Sequence, residues 1–207
     1  MITKDRPEET QIKISVFIFL NKVHCLVNSG FMALFENYIR IQSVKLERIS
    51  KELKDLESRF NDFKVVVERD IPDQLITKYL YLDNKAKQAL PAIYTKNDFM
   101  SLEQFKAKLD RRVQVTKYFY VLAFDEAGRL IGKLNSWLLG SNLYIDLLYV
   151  LEDFRKKKIG TQLVYKTLLT ATQQGQIKKI SLSTEGENSA AVRILNKLGE
   201  IQHPETV

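Results

Sequence analysis

The chain has 207 residues, 45% hydrophobic and 28% charged, with a formal net charge of +7. These are globular values, which exclude a low-complexity or fibrous chain and suffice for one ordinary domain with an appendage. A single cysteine, Cys25, excludes an intrachain disulfide and a cysteine-built metal site, and it suits a reducing compartment.

The first ten residues or so are polar and expected to fray. Residues 12–27 form an apolar element of either strand or helix period, and its core, Ile14 to Leu20, is too short to span a membrane before Asn21, Lys22 and His24 interrupt. No secretory signal is evident, so the chain is read as cytoplasmic. From Phe31 to Phe63 the spacing is helical. Phe35, Ile39, Gln42, Leu46, Ile49, Leu53, Leu56, Phe60 and Phe63 step by four and three, a heptad seam with charged outer faces. Two readings stand: an amphipathic helix packed on its own domain, or a coiled coil forming a homodimer. The predicted division is a helical segment over 1–62 and a second domain over 63–207.

That second domain opens with a strand, Lys64 to Arg69, followed by a helix starting at Pro72 with Leu75, Ile76, Tyr79 and Leu80 on one face. Ser101 and Gln104 form a capping box for a helix reaching about Val113. Three strands follow, Tyr118–Phe124, Arg129–Leu138 and Asn142–Leu151, joined by turn sequences that predict an antiparallel meander. A helix from Ile159 to Gln174, a strand from Ile177 to Ser183 and a helix from about Glu187 to Gly199 complete the series. The basic excess lies here: 10 of the 32 basic and 9 of the 25 acidic residues fall in 1–62, leaving 22 and 16. Composition alone does not choose among nucleic acid, acidic membrane and anionic ligand.

The most informative stretch is Tyr144 to Gly160, YIDLLYVLEDFRKKKIG, an apolar strand that turns through four cations into a helix. Unpaired N–H groups of such a turn and helix start can cradle an anion, with Arg155, Lys156, Lys157 and Lys158 adding charge. An acid inside an apolar strand is costly to bury without purpose, so Asp146 is a candidate general base. Alternation by two puts Asp146 on the face of Leu148 and groups Tyr144 with Asp146 as a candidate catalytic residue.

At these residues the chain resembles the GCN5-related N-acetyltransferase (GNAT) family. Arg155 and Gly160 match the first and last positions of its acetyl-coenzyme A motif, and Lys158 replaces the middle glycine. Asn188, Ala191 and Gly199 match a second motif, whose tyrosine is Leu195 here; the spacing of Asp146, Val150 and Arg155 is similar to the polyamine and aminoglycoside branch.

The resemblance covers about residues 63–200. It implies an α+β fold with a mixed, mostly antiparallel sheet flanked by helices, preceded by the helical segment. It also implies acetyl-coenzyme A as acyl donor, without metal, and a primary amine on a small molecule or protein as acceptor. The implied donor-binding residues are Leu148, Tyr149, Val150, Arg155, Lys156, Lys157, Lys158, Ile159, Gly160, Thr161 and Asn188. A backbone N–H of Leu148 to Val150 would polarise the thioester oxygen. Tyr165 or a water is the stand-in for the missing tyrosine acid.

The family fold ends with two further strands, yet only Glu200 to Val207 follow and Pro204 interrupts them, so either the chain is truncated or a partner chain or the N-terminal apolar run is expected to cover the sheet edge. The alternatives are a catalytically weakened acyl-coenzyme A binding module and a coiled-coil interaction protein with a basic patch. Nucleic acid and membrane are not expected partners.

Overall fold

A computed structural model describes residues 36–40, 43–90, 94–110, 117–175, 177, 179–183, 193–194 and 201–202. All of them belong to the compact unit that begins at Phe35. The apolar run 12–27, Cys25, His24, His203, Asn188, Ala191, Leu195 and Gly199 lie outside the described residues.

The elements are strand β1 (Glu36–Arg40), helix α1 (Ser43–Arg59), strand β2 (Phe63–Glu68), helix α2 (Ile76–Gln88), helix α3 (Leu102–Asp110), strands β3 (Lys117–Asp125), β4 (Leu130–Leu139) and β5 (Asn142–Val150), helix α4 (Ile159–Gln174), and strands β6 (Lys179–Ser183) and β7 (Ile201–Gln202). The strands form one sheet in the order β2-β3-β4-β5-β6-β1-β7. β2 to β5 pair antiparallel, as the turn sequences predict, and β5 pairs parallel with β6. This is an α+β architecture.

Strand alternation splits the core in two. On one face Phe119, Val121, Leu134 and Leu143 pack with Leu163 and Leu168 of α4 and with Ile49 and Leu53 of α1. On the other, Tyr120 and Leu122 pack with Tyr79 and Leu82 of α2 and with Phe105 of α3. Each fully buried aliphatic or aromatic side chain contributes about 1.5–3 kcal/mol of transfer free energy. The expected capping box is present: Ser101 N donates to Gln104 Oε1 at 2.8 Å and Gln104 N to Ser101 Oγ at 3.2 Å. A 3-10 turn, Asp73–Leu75, precedes α2, so that helix starts four residues after Pro72.

Two readings of the sequence need correction. The continuous helix expected from Phe31 to Phe63 is a strand followed by a shorter helix, and Ile39 of the heptad seam lies in β1. Tyr and Ile favour a pleated strand, and pairing on both sides supplies hydrogen bonds that a local helical period does not reveal. The seam is also used within the chain. Ile49, Leu53 and Leu56 are buried in the core beside α4, which leaves no apolar stripe there for a coiled-coil partner. The helix thus shares a core with residues beyond 63.

The sheet edge is covered as expected, but by a segment not foreseen. β1 runs antiparallel along β6 from Glu36↔Ser183 to Arg40↔Lys179, and β7 adds to β1 at Tyr38↔Gln202 and Ile39↔Ile201, before Pro204.

Candidate active site

Three local features meet at the C-terminal end of β5. The first is a stretch of β5 that has no partner on its β6 side among the described residues. β5 and β6 pair from Asn142↔Lys179 to Ile145↔Leu182, and among the described residues the pairing stops there, while β5 continues to Val150. The second is a bulge. Between Leu134↔Leu148 and Ser136↔Ile145, β5 uses two residues, Asp146 and Leu147, opposite the single Asn135 of β4.

The bulge corrects the expectation that Asp146 shares a face with Leu148. The extra residue reverses the alternation. Leu143 and Ile145 before it, and Leu148 after it, all pack in the α4-side core, whereas Asp146 meets Tyr94 beyond α2. Peptide groups also alternate along a strand. Leu151 N donates to Ile131 O at 2.9 Å, so Tyr149 turns its peptide to β4, and Leu148 and Val150 turn theirs to the opposite side. Consistently, Tyr149 O lies 3.3 Å from a Cβ built on Gly132 of β4, while Val150 O accepts from Arg155 Nε at 3.2 Å.

The third feature is the turn into α4. Phe154 N and Arg155 N bond back to Leu151 O and Glu152 O, and Gln162 N bonds to Lys158 O. Among the described residues, no backbone carbonyl accepts from the amides of Lys156 to Thr161, and Lys158, the residue capping α4, provides no side-chain cap. Lys156 and Lys158 have positive φ, 67° and 64°. That conformation costs about 1–2 kcal/mol in a residue with a Cβ. Lys158 therefore adopts the backbone that the glycine it replaces would take freely.

The four cations are not equivalent. Arg155 sits over the Tyr149 ring and pairs with Glu152 at 3.6 Å, and Lys157 pairs with Asp62 at 3.0 Å. Lys156 and Lys158 are exposed and have no ion pair among the described residues. A Cβ at Gly160 would meet Ile194 Cδ1 at 3.7 Å and Leu148 Cδ2 at 3.8 Å, ordinary contacts, so alanine fits there. Ile159 and Thr161 are buried and contribute to the mouth through their backbone.

On the α2 face, Asp146 is solvent-exposed yet flanked by charged groups of three elements, Lys133 of β4, Asp83 of α2 and Lys108 of α3. Desolvation by the protein packed around it pushes its carboxyl above the usual carboxylate range; Lys133 opposes that rise, Asp83 adds to it and Lys108 opposes it. Tyr94 Oη donates to Asp146 Oδ1 at 3.2 Å, and burial together with Asp146 holds this phenol well above its ordinary value, so it stays a donor. Tyr94 is positioned by a capped turn. Thr95 N and Oγ1 both donate to Asp98 Oδ2, at 2.9 and 3.1 Å, and Lys87 Nζ donates to Asp98 O at 2.9 Å.

Behind Asp146 lies a charge network that the sequence reading missed. Lys133, fully buried on β4, pairs with Asp83 of α2, which also pairs with Lys87 at 2.8 Å. Asn135 accepts from Lys133 and donates to Asp83, and Tyr79 donates to Asn135. Burial alone would raise Asp83, but Lys133 and Lys87 hold it far below the carboxylate range. The signal in the sequence was a lysine at an inward position of an apolar strand, with an Asp and a Lys four apart on a helix.

Tyr144 does not reach this network through any recorded contact; it stacks on Trp137, with ring centroids 5.6 Å apart. Tyr165 is committed elsewhere. Its hydroxyl donates to Glu52 Oε2 at 2.8 Å, and burial and that bond push the phenol up, so it is not poised to protonate a thiolate.

These features have counterparts in known proteins. The profile of the acetyltransferase (GNAT) family matches residues 83–199. A tandem GNAT protein from the clavulanic acid biosynthesis pathway superposes with a TM-score of 0.57 at 13% identity, over 84% of this chain. The present chain spans 51% of the length of that protein. An aminoglycoside acetyltransferase from an uncultured soil metagenomic sample, solved with sisomicin, gives 0.52 at 17% identity, covering 68% of this chain and 89% of that one. Aminoglycoside N-acetyltransferase AAC(6')-Iy, solved with coenzyme A, gives 0.51 at 14%, covering 70% and 91%. Comparison of the sequence with curated proteins finds no match. At these identities the structural likeness is one of fold. The family match spans more than half the chain, and with the amide-rich turn it leads to one conclusion: this protein belongs to the GNAT acetyltransferase family.

Proposed function

We propose that the protein transfers an acetyl group from acetyl-coenzyme A to a primary amine. The observation that carries this reading is the turn into α4, whose amides have no backbone acceptor among the described residues, beside the end of β5 that runs on past its last described pairing with β6 at Ile145. An extended pantetheine arm fits the edge that Leu148 and Val150 present on the side of β5 away from β4. The diphosphate falls to the amides of Lys156 to Thr161, with Lys156 and Lys158 supplying unengaged charge. The donor substrate brings an acyl carbon activated as a thioester.

The acceptor amine reaches Asp146 from the α2 face. An ammonium near pKa ~10.4 must lose a proton before its lone pair can attack, and Asp146 takes that proton directly or through water. The C–N bond forms as the C–S bond breaks. An amide of Leu148 or Val150 faces the carbonyl oxygen as it gains charge; removing such a donor costs about 10² to 10³ in rate. The nitrogen sheds its second proton to solvent, the thiolate takes one from solvent, and Asp146 returns its proton to solvent before the next turnover. A thiol of pKa ~8.5 leaves without an obligatory acid, which tolerates leucine at position 195.

Thiol release from acetyl-coenzyme A over a panel of primary amines tests the reading. Wild-type protein is expected to release thiol with at least one amine, and Asp146→Asn to lower kcat/KM by about 10²- to 10⁴-fold. Rate limited by Asp146 should fall on the acid side at a pH above the ordinary carboxylate range, because only the ionised form accepts a proton. Coenzyme binding with no turnover of any amine would favour the alternative of a binding module. Among the described residues, no helix is long and apolar enough to cross a membrane, and a lone cysteine suits a cytoplasmic location.

A further inference from the structure

Next to Asp146 the α2 face of the sheet carries a ladder of three aromatic rings. Tyr118, Trp137 and Tyr144 occupy facing positions of β3, β4 and β5. Trp137 stacks on Tyr144 at 5.6 Å with 8° between planes, and Tyr118 lies 6.4 Å from Trp137. All three rings are only partly buried. Tyr144 precedes Asp146 by two residues, so its Cα lies about 6.8 Å along the strand from that of Asp146.

The charges around Asp146 limit what can dock there. Asp83, Asp98 and Asp146 are matched by Lys87, Lys108 and Lys133 on β4, α2 and α3. Asp83 is consumed by Lys133 and Lys87. Among these described groups Asp146 is the one exposed carboxylate, with three lysines against two other carboxylates around it, so it suits a single ammonium and disfavours a second or third. Aromatic faces next to it supply stacking and cation–π attraction, worth about 0.5–1.5 kcal/mol per ring pair beyond area burial.

We infer that the acceptor is a monoamine whose ammonium is joined by a short linker to an aromatic ring, the ammonium at Asp146 and Tyr94, the ring on the Trp137–Tyr144 ladder. This names the acceptor class for the function proposed above and rests on Asp146 being the acceptor-side base.

Trp137 is the only tryptophan in the chain, so its emission reports the ladder without any need for catalysis. The experiment titrates the full chain with 2-phenylethylamine, butylamine and spermidine while following tryptophan fluorescence. 2-Phenylethylamine is expected to change the emission with half-saturation at least about tenfold below either of the others, a difference of about 1.4 kcal/mol. Asp146→Asn should weaken that response about tenfold. Unchanged emission with 2-phenylethylamine, or equal responses to all three amines, overturns the inference. In the thiol-release assay Trp137→Leu is expected to cost about tenfold in kcat/KM for 2-phenylethylamine and to leave butylamine unchanged; equal losses on both also overturn it. Selective fluorescence without thiol release would sink the transfer reading and leave the aromatic site standing. Thiol release without ring selectivity would do the reverse.

Discussion

Asp146 combines two properties that pull against each other, solvent access and a crowded charged surround. Its carboxyl is raised from an ordinary value of 3.8, chiefly by desolvation. A raised folded-state value means the protonated form is favoured in the native state. Any stability it contributes is complete below the ordinary carboxylate range and is lost as pH rises through the shifted value. Wild-type protein should therefore melt below Asp146→Asn at pH 7, and the two should melt together below about pH 4. Thermal melts at both pH values check this; a variant that is less stable at neutral pH contradicts the account. The residue was legible as an acid in an apolar strand. Its face was not, because period-two counting from Leu148 fails across a bulge that depends on how β4 and β5 register.

At the scale of elements, the sequence made the meander, α4 and the capping box plain, since turn residues, helical period and caps are local signals. The strand Glu36–Arg40 was not plain. Its role depends on β6, some 140 residues later, presenting an open edge. β1 is held on both sides at Ile39, by Ile180 and Ile201. Proline there removes a ladder N–H whichever neighbour it serves, and Ile39→Pro is expected to cost about 3 kcal/mol and to raise light scattering on heating. A melting temperature equal to wild type would mean that β1 does not guard the sheet edge. The heptad seam teaches the same lesson in reverse. Its spacing was real from Leu46 to Phe60, but spacing says nothing about whether the stripe meets another chain or, as with Ile49 and Leu53, α4 of its own.

Over the whole molecule, the sheet divides the work. In the proposed reaction the turn into α4 meets an anionic donor, and the α2 face, with Asp146, Tyr94 and the ladder, meets the acceptor. The family was readable from Arg155 and Gly160 because a phosphate-binding turn is built from consecutive residues. The acceptor side draws Asp83, Tyr94, Lys133 and Asp146 from separate elements, and only folding brings them together. Four clustered cations likewise read as equals, whereas Asp62 and Glu152 engage two of them.

The central claim is that the amides of Lys156 to Thr161 grip a diphosphate beyond the end of β5. Calorimetric titration with desulfo-coenzyme A tests it most directly, because it reports binding without chemistry. Wild type and Gly160→Ala should bind alike, at about micromolar Kd, since a methyl group meets only Ile194 and Leu148 at ordinary contact distances. Gly160→Asp should lose binding by at least about a hundredfold by bringing a carboxylate to the same amides. Equal affinity in all three proteins would contradict the account.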